Sequence, residues 1–127
     1  MTSVVRVKKK ILIADDIEAS RELIGTVLDS AGYEVIEASN GAEALEKAVQ
    51  VLPDLILLDL QMPSLDGFRV IGELRLDARF LTTPVVALTA SAMQGDREKA
   101  LAAGFTAYIA KPVRIAGLRA EVARLLR

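Results

Sequence analysis

The run Leu55-Ile56-Leu57-Leu58 constrains this chain more than any other stretch. Large apolar residues in unbroken succession leave no side for water, so the strand they form is buried on both faces. The run closes on Asp59, and Pro63 ends regular structure soon after. A carboxylate at the mouth of a buried strand either opens a turn or stands where chemistry is done. The remaining strands decide between the two.

Lys10-Ile11-Leu12-Ile13-Ala14 reads as a strand that runs straight into Asp15-Asp16. Leu23, Ile24, Val27, Leu28 and Ala31 then fall on one helical face, and Gly32 stops that helix. Glu34 to Ala38 alternates and predicts a strand at a sheet edge. Asn40 caps a second helix, Glu43 completes a capping-box pattern, and Leu45, Ala48, Val49 and Leu52 form its inward face up to Pro53. Beyond the central strand, Ser64-Leu65-Asp66-Gly67 signals a turn, and Phe68, Ile71 and Leu74 mark a third helix. Pro84 to Leu88 predicts a fourth strand that ends at Thr89. Asp96 to Ala103 is helical by propensity, stopped by Gly104, and carries the weakest apolar stripe; such a helix is held loosely and suits motion or partner contact. Ala107 to Ala110 is a fifth strand before Lys111-Pro112, and Ile115, Leu118, Val122, Leu125 and Leu126 line a last helix. Strands alternating with helices predict an α/β fold, a parallel sheet covered on both faces and wound by right-handed crossovers.

A chain of 127 residues reads as one domain, its core spanning about 9–127, with no output domain. Apolar residues make up 52% and aromatics only 4%, so the core must be aliphatic. No apolar run approaches the roughly 18 residues of a membrane span and no leader precedes the first strand, which with the lack of Cys suits a reducing cytoplasm. With no His either, a Ser-His-Asp triad, a His metal ligand and a phosphohistidine are all excluded. Any metal must be held by oxygen, which points to a hard cation such as Mg²⁺. A net charge of −1 is too balanced for a nucleic-acid binder, and the basic run Arg6, Lys8, Lys9 and Lys10 reads as a solvated face.

Chemistry-bearing residues stand at four strand ends: Asp15 and Asp16 after the first, Asp59 after the third, Thr89 after the fourth, Lys111 after the fifth. Open α/β sheets bind ligands outside these carboxyl ends. Each residue has an ordinary reading: a helix cap for either Asp, a β-branched strand residue for Thr89, a solvated strand-end cation for Lys111. Their joint appearance, with Asp15 and Lys111 set 96 positions apart, carries the argument. Clustered carboxylates repel one another, and a divalent cation relieves that cost. An ammonium and a hydroxyl beside them complete a place for a phosphoryl group.

Asp15-Asp16, Asp59-Leu60-Gln61-Met62-Pro63, Asp66-Gly67, Leu88-Thr89-Ala90 and Lys111-Pro112 together resemble the receiver domain of two-component response regulators, over nearly the whole chain from about Lys9. The resemblance implies a doubly wound, flavodoxin-like five-stranded sheet in the order 2-1-3-4-5. It implies Asp59 as phosphoacceptor, supplied by a sensor histidine kinase or histidine phosphotransfer protein. It further implies Mg²⁺ on Asp16, Asp59 and the Gln61 backbone carbonyl, with Asp15 acting mainly through water. Lys111 would pair with the phosphoryl oxygens, positioned by a cis peptide to Pro112, while Thr89 and Tyr108 would switch together. The output face would be the fourth helix, fifth strand and fifth helix, turned toward a downstream protein. Such a domain catalyses only its own phosphorylation and dephosphorylation. Val113 stands where the family often has an aromatic, and Gln61 and Ser91 occupy positions that tune hydrolysis. The segment from Met93-Gln94-Gly95 to Gly104 resembles receivers of phosphorelays and hybrid kinases.

Three other readings compete. A Mg²⁺-dependent phosphatase of the haloacid dehalogenase type places a second Asp two residues after its nucleophile, where this chain has Gln61, which cannot donate a proton in that role. A receiver scaffold that only binds protein usually lacks one of the acids, Thr or Lys, and this chain lacks none. The third is a receiver excised from a hybrid sensor histidine kinase.

Overall fold

Alternation along β3 (Leu55–Asp59) divides the molecule in two. Leu55 and Leu57 face one side, Ile56 and Leu58 the other, and each side carries its own core. The computed structural model describes residues 7–63, 65–90 and 95–127. Arg6, Ser64, Ser91, Met93 and Gln94, named above, lie outside the described residues. Strand β1 (Lys10–Ala14) splits in the same manner: Ile11 and Ile13 join the first core, Leu12 and Ala14 the second. Helices α1 (Glu18–Ser30) and α5 (Ile115–Leu125) seal the first core with Ile24, Val27, Leu28, Leu118 and Val122. Helices α2 (Gly41–Val51), α3 (Gly67–Leu76) and α4 (Asp96–Ala103) seal the second, chiefly through Ala44, Ala48, Val70, Ile71, Leu74 and Ala100.

With β2 (Glu34–Ala38), β4 (Val85–Thr89) and β5 (Ala107–Ala110), the five strands form one parallel sheet in the order β2-β1-β3-β4-β5. Ala14 sits opposite Leu58, and Asp59 opposite Leu88. Carrying the register one residue further sets Asp15 beside Asp59, with Thr89 one position beyond Leu88. Each fully buried Leu or Ile stabilises the fold by about 1.5–3 kcal/mol relative to exposure. Residues Leu55 to Leu58 are all buried to within 1%, so the strand that carries Asp59 is held firmly.

Capping at α2 is reciprocal: Asn40 Oδ1 accepts from the Glu43 N–H at 2.8 Å, and Glu43 Oε1 accepts from the Ser39 N–H at 2.8 Å. Several expected inward positions instead face solvent. Leu23, Val49, Leu52 and Ile115 are all 45% exposed or more, and Ala31 is exposed as well. Periodicity marks the middle of a buried stripe but overstates its width. Helix α2 approaches the sheet through alanines, which leaves Val49 at the flank, and Leu52 lies past the helix at φ 51°. Ile115 is the first residue of α5, ahead of the turns that pack.

A short 3-10 turn, Ala78–Phe80, was not expected from the sequence; it drives Phe80 into the second core. Arg75, in the last turn of α3, gathers this end of the molecule. Its Nε donates to the Gly104 carbonyl at 3.0 Å, Nη1 to the carbonyls of Phe80 (2.5 Å) and Thr83 (2.9 Å), and Nη2 to Thr106 Oγ1 at 3.4 Å. Helix α4 buries one residue, Ala100, fully, in keeping with its weak apolar stripe. Lys99 of α4 also lies over the Phe68 ring, 5.7 Å from its centroid.

Candidate functional site

Among the described residues, the buried polar or charged side chains are Asp15, Asp59 and Thr89, and all three stand at the carboxyl ends of the strands. Burying an ionised carboxylate without a partner is costly, and Lys111 supplies the partner. Its Nζ donates to Asp15 Oδ2 at 2.7 Å and to Asp59 Oδ2 at 2.8 Å. The second oxygen of each acid accepts a backbone N–H two residues on: Ile17 N–H to Asp15 Oδ1 at 3.0 Å, Gln61 N–H to Asp59 Oδ1 at 2.8 Å. Lys111 is itself aimed by its backbone, whose N–H donates to the Thr89 carbonyl at 2.7 Å, and the Lys111–Pro112 peptide is cis.

Desolvation by burial pushes Asp59 above the usual carboxylate range, against the pull of Lys111 and of the Gln61 N–H. Desolvation acts on Asp15 as well, but the hydrogen bonds from Lys111, the Ile17 N–H and Ser20 outweigh it and hold Asp15 below that range. Asp15 is therefore the acid kept ionised, and Asp59, facing that charge, is the one more easily protonated. Lys111 is desolvated too, yet its two carboxylates raise it above the ordinary lysine value.

Asp16 is exposed and its carboxylate has no hydrogen-bond partner among the described residues. One oxygen from each of Asp15, Asp16 and Asp59 lies within 4.8 Å of the others. Each bound oxygen keeps a lone pair, so this all-oxygen set with one open, solvated member fits a hard divalent cation that retains waters. Thr89 and Tyr108 meet side chain to side chain; burial and the nearby Asp96 and Glu98 charges outweigh that Thr89 hydrogen bond and leave the Tyr108 hydroxyl above its ordinary value. Gln61 is exposed at the rim of a cavity of about 340 Å³ that it shares with Thr89, Phe68 and Lys99.

Two parts of the site go further than the sequence marked. Arg21 of α1 donates through Nη1 to the Asp15 carbonyl at 2.8 Å and through Nε to Glu37 on β2 at 2.9 Å, which holds the Asp15–Asp16 peptide in place. A cation within the first helix, six residues after Asp15, was the only available hint. The loop after β3 also folds back on itself. A Cβ at Gly67 would sit 2.7 Å from the Asp59 carbonyl oxygen and 2.8 Å from the Leu60 Cα, while Asp66 Oδ1 caps α3 by accepting from the Arg69 N–H at 2.9 Å. Gly67→Ala must therefore shift the backbone of Asp59. We expect a loss of about 1–3 kcal/mol in denaturant unfolding, and an unchanged midpoint would show that the loop yields without strain.

Residues 11–123 match the family model described as the response regulator receiver domain. The polar-differentiation response regulator DivK of Brucella anthropi is 40% identical over 107 residues, covering 84% of this chain and 87% of DivK. Among solved structures, the chemotaxis protein CheY4 of Vibrio cholerae superposes with a TM-score of 0.89 at 32% identity, covering 94% of this chain and all of that one. The receiver domain of sensor histidine kinase PA1611 from Pseudomonas aeruginosa, solved with magnesium coordinated in its active-site cleft, gives 0.87 at 36% identity over 94% and 98% of the two chains.

Proposed function

This chain belongs to the response regulator receiver family, and from that premise we propose that Asp59 accepts a phosphoryl group from a phosphohistidine on a sensor histidine kinase or histidine phosphotransfer protein. The observation that carries the reading is the buried Asp59 carboxylate held 2.8 Å from Lys111 and beside Asp15 and Asp16. In the transfer, an Asp59 oxygen bonds to phosphorus as the phosphorus–nitrogen bond of the donor breaks, and the imidazole leaves with the electron pair. Lys111, released from Asp59, moves its charge onto the phosphoryl oxygens; Thr89 donates its hydroxyl to another, and Tyr108 follows Thr89.

Asp16, Asp59 and the Gln61 carbonyl would hold Mg²⁺, with Asp15 acting through water. A bound Mg²⁺ would neutralise the charge that builds on the equatorial oxygens. The PA1611 receiver, with magnesium in its cleft, supports that assignment. We take residues 1–127 as a single receiver unit that works in the cytoplasm, catalyses only its own phosphorylation and dephosphorylation, and signals through the surface of α4, β5 and α5. Among the described residues no helix is long and apolar enough to cross a membrane. The likeness to a histidine kinase's receiver domain supports a second context, a receiver within a hybrid kinase.

The test is intact mass after incubation with a small-molecule acyl phosphate and Mg²⁺. We expect one phosphoryl group per chain, lost when the metal is chelated. No adduct, even with a phosphorylated kinase domain as donor, would turn the reading to a binding module that is never phosphorylated.

A further inference from the structure

We propose that Lys99 is a positioning residue of the phosphoryl switch. Its ammonium, seated over the Phe68 ring, latches α4 onto α3 in the arrangement in which Lys111 bridges Asp15 and Asp59, and so opposes phosphoryl uptake by Asp59. The inference rests on Asp59 as acceptor and deepens that reading by naming a contact that regulates the site.

The side of α4 turned toward α3 comes first. Asp96, Lys99 and Ala103 follow one another at three and four positions, which sets them on one side of the helix. Asp96 and Lys99 line the cavity of about 340 Å³ that Thr89 and Phe68 also line, and Ala103 packs against the second core. Lys99 Nζ stands 5.7 Å from the centroid of the Phe68 ring, within the range in which the negative face of an aromatic ring attracts a cation. Phe68 is held in its turn. Its ring meets that of the buried Phe105 edge to face, with centroids 6.1 Å apart and planes at 86°. One cation thereby joins α4 to α3 and, through Phe105, to the approach to β5.

Magnitude decides why so small a contact counts. A cation over a solvent-exposed ring is weak on the scale of a whole domain. Helix α4, however, buries one residue, Ala100, fully, so little else holds its side toward α3. Where two positions of a helix are nearly balanced, one such contact shifts their populations severalfold.

The sign follows from what moves. Val70, Ile71 and Leu74 are at most 2% exposed, so α3 and its Phe68 stay with the core. Thr89 forms part of the cavity wall and leaves it when its hydroxyl turns to the phosphoryl oxygens. Tyr108 follows Thr89, and the Asp96 charge lies near the Tyr108 hydroxyl, so the disturbance reaches the side of α4 that carries Lys99. Lys99 is then drawn from a ring that does not move. A contact made in the resting arrangement and lost in the switched one weakens phosphoryl binding by the factor it contributes.

The test titrates ¹⁵N-labelled parent, Lys99→Met, Lys99→Arg, Phe68→Leu and the Lys99→Met, Phe68→Leu double variant with beryllium fluoride and Mg²⁺. Beryllium fluoride sits reversibly on a carboxylate as a phosphoryl group does, so its affinity reads an equilibrium. Lys99→Met should bind it about two- to fivefold more tightly. Before any addition, its Leu101 and Gly104 amide signals should already lie part-way toward their positions in the loaded parent. Lys99→Arg should match the parent, because a guanidinium also stacks on an aromatic face. In the Phe68→Leu background, Lys99→Met should change nothing further. Parent-like affinity and amide positions in Lys99→Met would make Lys99 a solvated lysine and overturn the proposal. So would weaker binding, a gain that Lys99→Arg shares, or an equal gain without Phe68. Intact mass after an acyl phosphate is read on the same samples. Phosphoryl uptake by the parent with no effect of Lys99→Met defeats this inference alone, and beryllium fluoride binding without phosphoryl uptake defeats the acceptor reading alone.

Discussion

Asp59→Asn is expected to take up no phosphoryl group under conditions that load the parent protein fully. The amide keeps the shape of the carboxylate and the Gln61 N–H contact at one oxygen. What it loses is the anionic oxygen that attacks phosphorus. Removing a nucleophile elsewhere costs several orders of magnitude, so incorporation should fall by at least ~10³-fold. Stability should move little, within about 1 kcal/mol, because Lys111 keeps its bond to the ionised Asp15 and the desolvated charge of Asp59 is gone. Intact mass and a urea titration on the same preparation check both halves. An adduct at the parent yield would remove Asp59 as acceptor, whereas lost uptake together with lost folding would say nothing of chemistry; the urea curve separates the two.

Lys111→Met carries the second large effect, this time on the fold. Methionine fills much of the volume and removes the cation, leaving Asp15 and Asp59 facing one another at 0% and 3% exposure. Breaking a buried ion pair from one side typically costs 3–5 kcal/mol, and we expect a loss of about that size at neutral pH. Its pH dependence follows from the sign. Without the cation both acids gain protons more readily in the folded state than in the unfolded one. The variant should therefore regain stability as pH falls, while stability ebbs as pH rises through those raised values. The parent also loses stability with rising pH, but at the alkaline end: Lys111 is raised, so its contribution is whole below the ordinary lysine value of 10.5 and is lost as pH climbs through the folded one. Mg²⁺ should raise the melting temperature of Lys111→Met more than that of the parent, since a second cation can take the vacated role. A loss under about 1 kcal/mol, insensitive to Mg²⁺, would return Lys111 to a solvated strand-end lysine.

The strands were legible because a parallel strand covered on both faces shows as an apolar run, and the four acids and bases at their ends could be read directly from where those runs stop. Asp15, Asp16, Asp59, Thr89 and Lys111 are brought to one end of the sheet because the strands run parallel, which alternation with helices already required. What stayed hidden has no local signature. The arm of Arg21 reaching the Asp15 carbonyl, or of Arg75 reaching three carbonyls, depends on which loops lie within a side chain's length. Hydrophobic spacing likewise marked Leu23, Val49 and Ile115 as inward without saying how closely each helix would approach the sheet.

The arrangement at Arg75 would set the mechanics of the proposed signalling surface. By grasping Gly104, it ties the trailing end of α4 to α3 and to the entrance of β4, while the leading end near Asp96 sits by the Thr89 and Tyr108 pair. A helix fastened at one end and pushed at the other turns about the fastening, as a lever does about its fulcrum. The stroke would then be greatest at the end next to Asp59 and least at Gly104, so Arg97 would travel further than Leu101, like the tip of a jaw.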